Sequence, residues 1–215
     1  MNDVMKIYNR LYDVFGPQHW WPAEGAFEVV VGAILTQQAP WKNVEKAINN
    51  LKKESALGPS AISKMSLPKL ERMIKPAGFY KIKSKRLKKI AALYNKIEEC
   101  KKLPVSEARK HLLKIDGIGP ETADSILLYA FNMPTFVVDA YTKRFVKRYG
   151  FSKKWKRLDY ETIKNFFERN TKYDVKVYNE FHALLVELGK KYCKTKPVCD
   201  KCPLNMMCEK RCEKD

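Results

Sequence analysis

Two stretches of the chain combine residue types and spacings that can do chemistry. The first runs from Leu113 to Asp139. It contains the turn Asp116-Gly117-Ile118-Gly119 followed by Pro120, a polar and then apolar helix-like run, and the short apolar segment Phe136-Val137-Val138 ending in Asp139. A proline with fixed φ and no N–H suits a first helical position, so a helix ends near Lys114, turns through the glycines and restarts at Pro120. The glycines permit close approach of another surface, and the amides at the start of the second helix suit a phosphate. Taken alone, Gly117-Ile118-Gly119-Pro120 is also what an ordinary helix–helix turn looks like. Asp139, at a helix start or tight junction after that hairpin, adds a carboxylate to the phosphate cradle.

The second stretch is Cys193-x5-Cys199-x2-Cys202-x5-Cys208. Four thiolates in so short a loop ligate either a [4Fe–4S] cluster or a tetrahedral zinc. Structural zinc sites more often pair two C-x2-C knuckles or use histidine, whereas this loop has one such knuckle and no histidine. Cys100 and Cys212 remain over, as a helical thiol and a tail thiol. Lys194, Lys196, Lys201 and Lys210 flank the loop, so a cluster there would fold a basic surface suited to phosphates.

Composition bounds what these stretches serve. Among 215 residues, 42 Lys and Arg face 24 Asp and Glu, a formal charge of +18, while 45% of residues are hydrophobic. That combination describes a folded basic protein whose self-repulsion an acidic partner would relieve, and nucleic acid is the commonest such partner. There is no 18-residue apolar run and no apolar segment after Met1-Asn2-Asp3-Val4-Met5-Lys6, so we expect a soluble intracellular protein without a membrane span. Five of the six cysteines fall in the last 23 residues, a pattern that in a reducing compartment indicates a metal site over a disulfide framework.

The elements that must position these groups read as helices throughout. Apolar spacing predicts helices over Ile7 to Phe15, Ala26 to Thr36, Val44 to Leu51, a short pair within Leu57 to Ile74, and Ser106 to Lys114. After Asp139 it predicts Ala140 to Tyr149, Tyr160 to Asn170 and Val175 to Lys191. Lys75 to Ile90 reads as a turn feeding a basic amphipathic helix whose lysines and arginine line a solvated face. The bulky pair Phe79-Tyr80 sits on that turn, where a DNA-bending protein carries an apolar wedge. His19-Trp20-Trp21-Pro22 places two tryptophans in a loop, and Leu35-Thr36-Gln37-Gln38-Ala39-Pro40-Trp41 breaks a helix with two amides and a third tryptophan. Paired tryptophans are commonly core anchors, and paired amides commonly cap a turn, although they also read base edges or fill a gap in a duplex. Strand-like runs are too short and isolated for a sheet, so the fold class is all-α.

The hairpin, Asp139 and the four-cysteine tail together resemble the helix-hairpin-helix DNA glycosylases of the endonuclease III superfamily, over essentially the whole chain. The resemblance implies two helical domains with a DNA-binding cleft between them: a six-helix domain over 23–131 containing the hairpin, and a second over 1–22 and 132–215 with the cluster loop. It implies that Gly117, Ile118, Gly119 and Thr122 grip the DNA backbone, that Asp139 drives cleavage of the N-glycosidic bond, and that Cys193, Cys199, Cys202 and Cys208 hold a [4Fe–4S] cluster. Gln38 or Phe79 would fill the stack left by a flipped base.

Within that superfamily, endonuclease III carries a lysine two residues after the second hairpin glycine, the nucleophile of its lyase reaction. Here Glu121 stands there, and a carboxylate cannot form a Schiff base. Mismatch adenine glycosylases carry a catalytic glutamate where this chain has Ala33. The strongest resemblance is to the 3-methyladenine DNA glycosylase III family, through Trp20-Trp21-Pro22, Gly32-Ala33-Ile34-Leu35-Thr36-Gln37, Pro76-Ala77-Gly78-Phe79-Tyr80 and Val137-Val138-Asp139-Ala140-Tyr141. It implies a base pocket of Trp20, Trp21, Pro22 and Trp41, with Lys190 matching a pocket lysine, although familiar members of that family lack the cluster. The expectation is therefore a monofunctional glycosylase, monomeric and cytoplasmic, of prokaryotic type, acting on an alkylated purine in double-stranded DNA. The alternatives are an endonuclease III-like glycosylase and lyase for oxidised pyrimidines, using another lysine, and a non-catalytic iron–sulfur DNA-binding module.

Overall fold

The computed structural model describes residues 3–209. The expectations placed on Lys210 and Cys212 lie outside them. Twelve α-helices and no strand occur among the described residues, and none of the helices is long and apolar enough to cross a membrane. The chain divides into two compact units, one of Trp21–Met133 and the other of Met1–Trp20 with Pro134–Asp215.

The Trp21–Met133 unit is built on helix α2, Ala26–Leu35, in which every residue from Glu28 onward is buried. An evenly apolar helix of this kind belongs in a core centre. Around it lie α3 (Trp41–Lys53), α4 (Pro59–Lys64), α5 (Leu67–Ile74), α6 (Tyr80–Ala92), α7 (Tyr94–Glu99), α8 (Val105–Leu113) and α9 (Pro120–Ser125). Val30, Val31, Ile34 and Leu35 of α2 share one core with Val44, Ile48 and Leu51 of α3, Leu87 and Ile90 of α6, and Ala123 of α9. After α9 the helix widens into a π-helix at Ile126–Ala130.

One sequence expectation for this unit needs correction. Lys83, assigned to the solvated face of the basic helix, is only 2% exposed. Its ammonium donates to the carbonyls of Leu35 and Ala77, both at 2.8 Å, joining the end of α2 to the turn before α6. Burial, reinforced by the charge of Arg86, pushes that ammonium down to about 8. The long aliphatic stem satisfies the core while the head satisfies two carbonyls that end elements would otherwise leave open.

In the other unit, α1 (Asp3–Phe15) packs on α12 (Val175–Lys191), which also packs on α10 (Ala140–Tyr149), and α11 (Tyr160–Asn170) contributes Phe167. Phe136 stacks on Phe167 with ring centroids 4.4 Å apart, and Phe181 meets both rings edge-on. Three aspartates open three helices here: Asp139, Asp159 and Asp174 each accept a bond from an amide in the first turn of α10, α11 and α12. Such caps satisfy N–H groups that have no intrahelical partner.

Candidate active site

The hairpin is held by side chains from distant parts of its own unit. Gly117 has φ of +90°, and a Cβ there would lie 2.9 Å from Cδ of Arg86, so both the turn and the close packing require glycine. Gln37 Nε2 donates to the Gly117 carbonyl at 2.9 Å and to the Thr122 hydroxyl at 3.1 Å, while Arg86 Nη1 donates to Gln37 Oε1 at 2.8 Å. One amide thus ties α2, α6 and the hairpin together. The two hairpin helices are clamped by Arg109 of α8 and Asp124 of α9, with Nε to Oδ1 at 2.9 Å and Nη2 to Oδ2 at 3.1 Å, a bidentate pair in which Asp124 is fully buried.

These contacts sort the residues expected at DNA. Gly119 is exposed and extended at the start of α9, whereas Ile118 and Thr122 are each 5% exposed. Ile118 plugs the turn from within and Thr122 braces it through Gln37, so neither side chain faces solvent. The paired amides also divide. Gln37 turns inward to the hairpin, and Gln38, with φ of +53°, is exposed. Phe79 is 61% exposed with φ of +47°, directly after Gly78 at +67°. Two consecutive residues in the left-handed region push an aromatic ring outward, a conformation that costs a non-glycine residue roughly 1–2 kcal/mol.

The aromatic candidates fall into two groups, one in each unit. In the first, Trp21 meets Trp41 edge-on at 5.2 Å and lies against Tyr129, also at 5.2 Å, with Pro22 exposed beside it. Gly32 admits the Trp21 ring onto α2, since a Cβ there would come within 3.0 Å of it. Tyr129 comes from the π-helix and was not singled out in the sequence. In the second group, the ammonium of Lys190 lies 5.3 Å from the Trp20 ring centroid.

Asp139 caps α10, with Oδ1 accepting the Thr142 amide at 2.8 Å. The segment entering it is buried from Thr135 to Val138, and Glu168 Oε1 accepts the Phe136 amide at 2.9 Å. Its other oxygen, Oδ2, lies 3.7 Å from Nε2 of His182 on α12, the two side chains being 16% and 6% exposed. Burial pushes the Asp139 carboxyl up, but the His182 imidazole and the Thr142 amide outweigh it and hold the group below the usual aspartate range. His182 was missed in the sequence because a lone histidine on an apolar helix carries no spacing signal.

The four thiols of Cys193, Cys199, Cys202 and Cys208 line one cavity together with Arg148, Tyr192, Pro197 and Asn205. Burial, reinforced by nearby Cys193, pushes the Cys202 thiol up. Arg148 Nη1 lies 3.6 Å from Cys193 Sγ, and the Cys208 thiol lies 3.6 Å from the Arg148 carbonyl. Arg144 Nε donates to the Cys193 carbonyl at 2.7 Å, and Arg10 Nε to that of Pro203 at 3.2 Å. Among the described residues no three His, Cys, Asp or Glu side chains gather around a point suited to a single metal ion. Lys194, Lys196 and Lys201 are exposed around the loop.

A hairpin with an exposed glycine amide, followed by a capped and ionised aspartate, agrees with what comparison to known proteins finds. The model of the HhH-GPD superfamily of base excision DNA repair proteins matches residues 31–172. The chain belongs to that superfamily. It is 49% identical over 211 residues to MJ1434 of Methanocaldococcus jannaschii, by name a candidate DNA repair glycosylase, covering 95% of each chain. It is 30% identical to endonuclease III of Bacillus subtilis over 190 residues, covering 88% of this chain and 83% of that one. The crystal structure of H. pylori 3-methyladenine DNA glycosylase bound to 1,N6-ethenoadenine superposes with a TM-score of 0.74 at 27% identity, covering 88% of this chain and 98% of that one. An endonuclease III–DNA complex shares the fold, with a TM-score of 0.81 at 23% identity over 100% and 99% of the two chains.

Proposed function

We propose that this protein is a monofunctional DNA N-glycosylase that hydrolyses the bond between deoxyribose and a damaged base, an alkylated purine such as 3-methyladenine. The observation that carries the reading is the pair of carboxylates: Asp139, ionised while nearly closed off, and Glu121, standing where a lyase would need an amine.

The chemistry suits these groups. Flipping a base out of a duplex costs about a few kcal/mol, less for a damaged pair. The hairpin amides hold a phosphate, and Gln38 and Phe79, both pushed outward by left-handed backbone, are the candidates to fill the vacated stack. A 3-alkylated adenine is already cationic, so it leaves as a neutral base without a strong general acid. Aromatic faces attract such a cation by about 0.5–2 kcal/mol each, a role for Trp20, Trp21 and Trp41. As the C1′–N bond breaks, its electron pair leaves with the base and positive charge develops on the sugar. The Asp139 carboxylate stabilises that charge and orients water, whose oxygen bonds to C1′ and whose proton passes through the carboxylate to solvent.

Cys193, Cys199, Cys202 and Cys208 would hold a [4Fe–4S] cluster. Four soft sulfurs around a shared space, with no carboxylate among the described residues of its wall and Arg148 beside the thiols, fit such a group. When bound, the cluster cross-links the loop that displays Lys194, Lys196 and Lys201. The ligand is double-stranded DNA and the protein acts as a monomer.

The similarity to endonuclease III favours one second reading, a lyase using another lysine. Lys83, the ammonium pushed down to about 8, is no such nucleophile, because it is 2% exposed and engaged by two carbonyls. The test is a panel of duplexes carrying methylated, deaminated and oxidised bases, with free base measured by chromatography. Release of methylated purine in preference to oxidised pyrimidine supports the proposal. Release of oxidised pyrimidine alone, or binding without release, overturns it.

A further inference from the structure

The protein has three histidines, and their settings differ. His19 and His111 are exposed, whereas His182 is 4% exposed within the wholly buried run Phe181 to Val186 of α12. An imidazole so closed off from water is costly to bury without polar company. That company is Asp139, whose Oδ2 lies 3.7 Å from Nε2. The separation is within ion-pair range and longer than a hydrogen bond.

The two oxygens of Asp139 are thereby divided. Oδ1 is committed to the Thr142 amide, which fixes the carboxyl at the start of α10. Oδ2 is the oxygen left to act on a sugar, and the cap alone leaves the plane of the carboxyl free to rock about its last torsion, which is broad for aspartate. We propose that His182 is a positioning residue for base release, fixing the direction of Asp139 Oδ2 while the cap holds Oδ1. This rests on the assignment of Asp139 given above. The electrostatics agree: burial pushes the carboxyl up, and the attraction of His182 is the first of the effects that outweigh it. A buried aspartate without that neighbour would be held in position less firmly and ionised less readily. A misplacement of about 1 Å can cost a catalytic step roughly 100-fold.

The test compares His182→Leu with His182→Gln, which retains a side-chain donor. The probe is a duplex methylated with dimethyl sulfate, with base release followed in single turnover at saturating protein and affinity measured separately on undamaged duplex. The expected result is that His182→Leu slows release by about 100-fold with unchanged affinity, and that His182→Gln recovers most of the loss. Native release by His182→Leu, or equal slowing in both variants accompanied by equal loss of melting temperature, overturns the proposal by reducing His182 to a packing residue. A second measurement stands apart from substrate: carboxyl-carbon NMR should show the Asp139 titration midpoint rising when either variant removes the imidazole, and an unmoved midpoint overturns the pairing. Should the native protein free no methylated base, the alkylated-purine reading fails, and the NMR result still decides the role of His182.

Discussion

Asp139 and Asp159 open consecutive helices in the same way. Each stands three residues before a threonine, each accepts that threonine's amide on Oδ1 at 2.8 Å, and each carboxyl is held below the ordinary aspartate range. The Thr162 amide is the chief cause for Asp159, whose side chain is 48% exposed with Arg157 Nε at 3.9 Å. Asp139 is 16% exposed and faces a buried histidine. A cap therefore yields an ionised carboxylate by itself, and what turns one into a candidate for chemistry is partial exclusion of water together with a second partner that sets its direction.

The largest effect should follow from neutralising Asp139. Asp139→Asn still caps its helix, so duplex affinity and melting should hold while single-turnover base release falls by about 1,000-fold. A loss confined to affinity would break the comparison. The hairpin offers the contrasting case, a site held by remote side chains in place of a local cap. Arg109→Ala removes the bidentate partner of buried Asp124, so urea unfolding should show a loss of about 3–5 kcal/mol. Gln37→Ala leaves the Gly117 carbonyl and Thr122 hydroxyl without its donors, which should weaken duplex binding by about tenfold, equivalent to about 1.4 kcal/mol.

A smaller effect is expected from pH. The folded value of Lys83, about 8, lies below its ordinary 10.5, so the unfolded chain holds more protons between those limits and stability should rise with pH across them. Lys83→Met should abolish that rise in melting experiments. The smallest effect belongs to Asp159→Asn, which should leave base release unchanged, and any marked loss there would erase the distinction from Asp139.

Much of the architecture was legible because the signals were local. Periodicity defines Ala140–Tyr149, Tyr160–Asn170 and Val175–Lys191, and Pro120 marks the restart of the hairpin. What escaped depends on contacts between residues far apart in sequence. Lys83 reads as one lysine in a basic run, and only the open carbonyls at Leu35 and Ala77 explain its burial. Gln37 and Gln38 read as an equivalent pair, yet the left-handed backbone at Gln38 sends one inward and the other out. Tyr129 reaches Trp21 from a π-helix, which has no periodic signature in so short a segment. His182 becomes visible only when α12 is laid beside the start of α10.

In the proposed reaction Asp139 directs water, and no amine of the protein bonds to the sugar. This is tested most directly by running the native reaction on methylated duplex with and without borohydride, measuring free base, strand integrity and protein–DNA adduct together. The expected products are free base and an unbroken strand carrying an abasic site, with no trapped adduct. A borohydride-dependent adduct that accumulates in step with base release would contradict this.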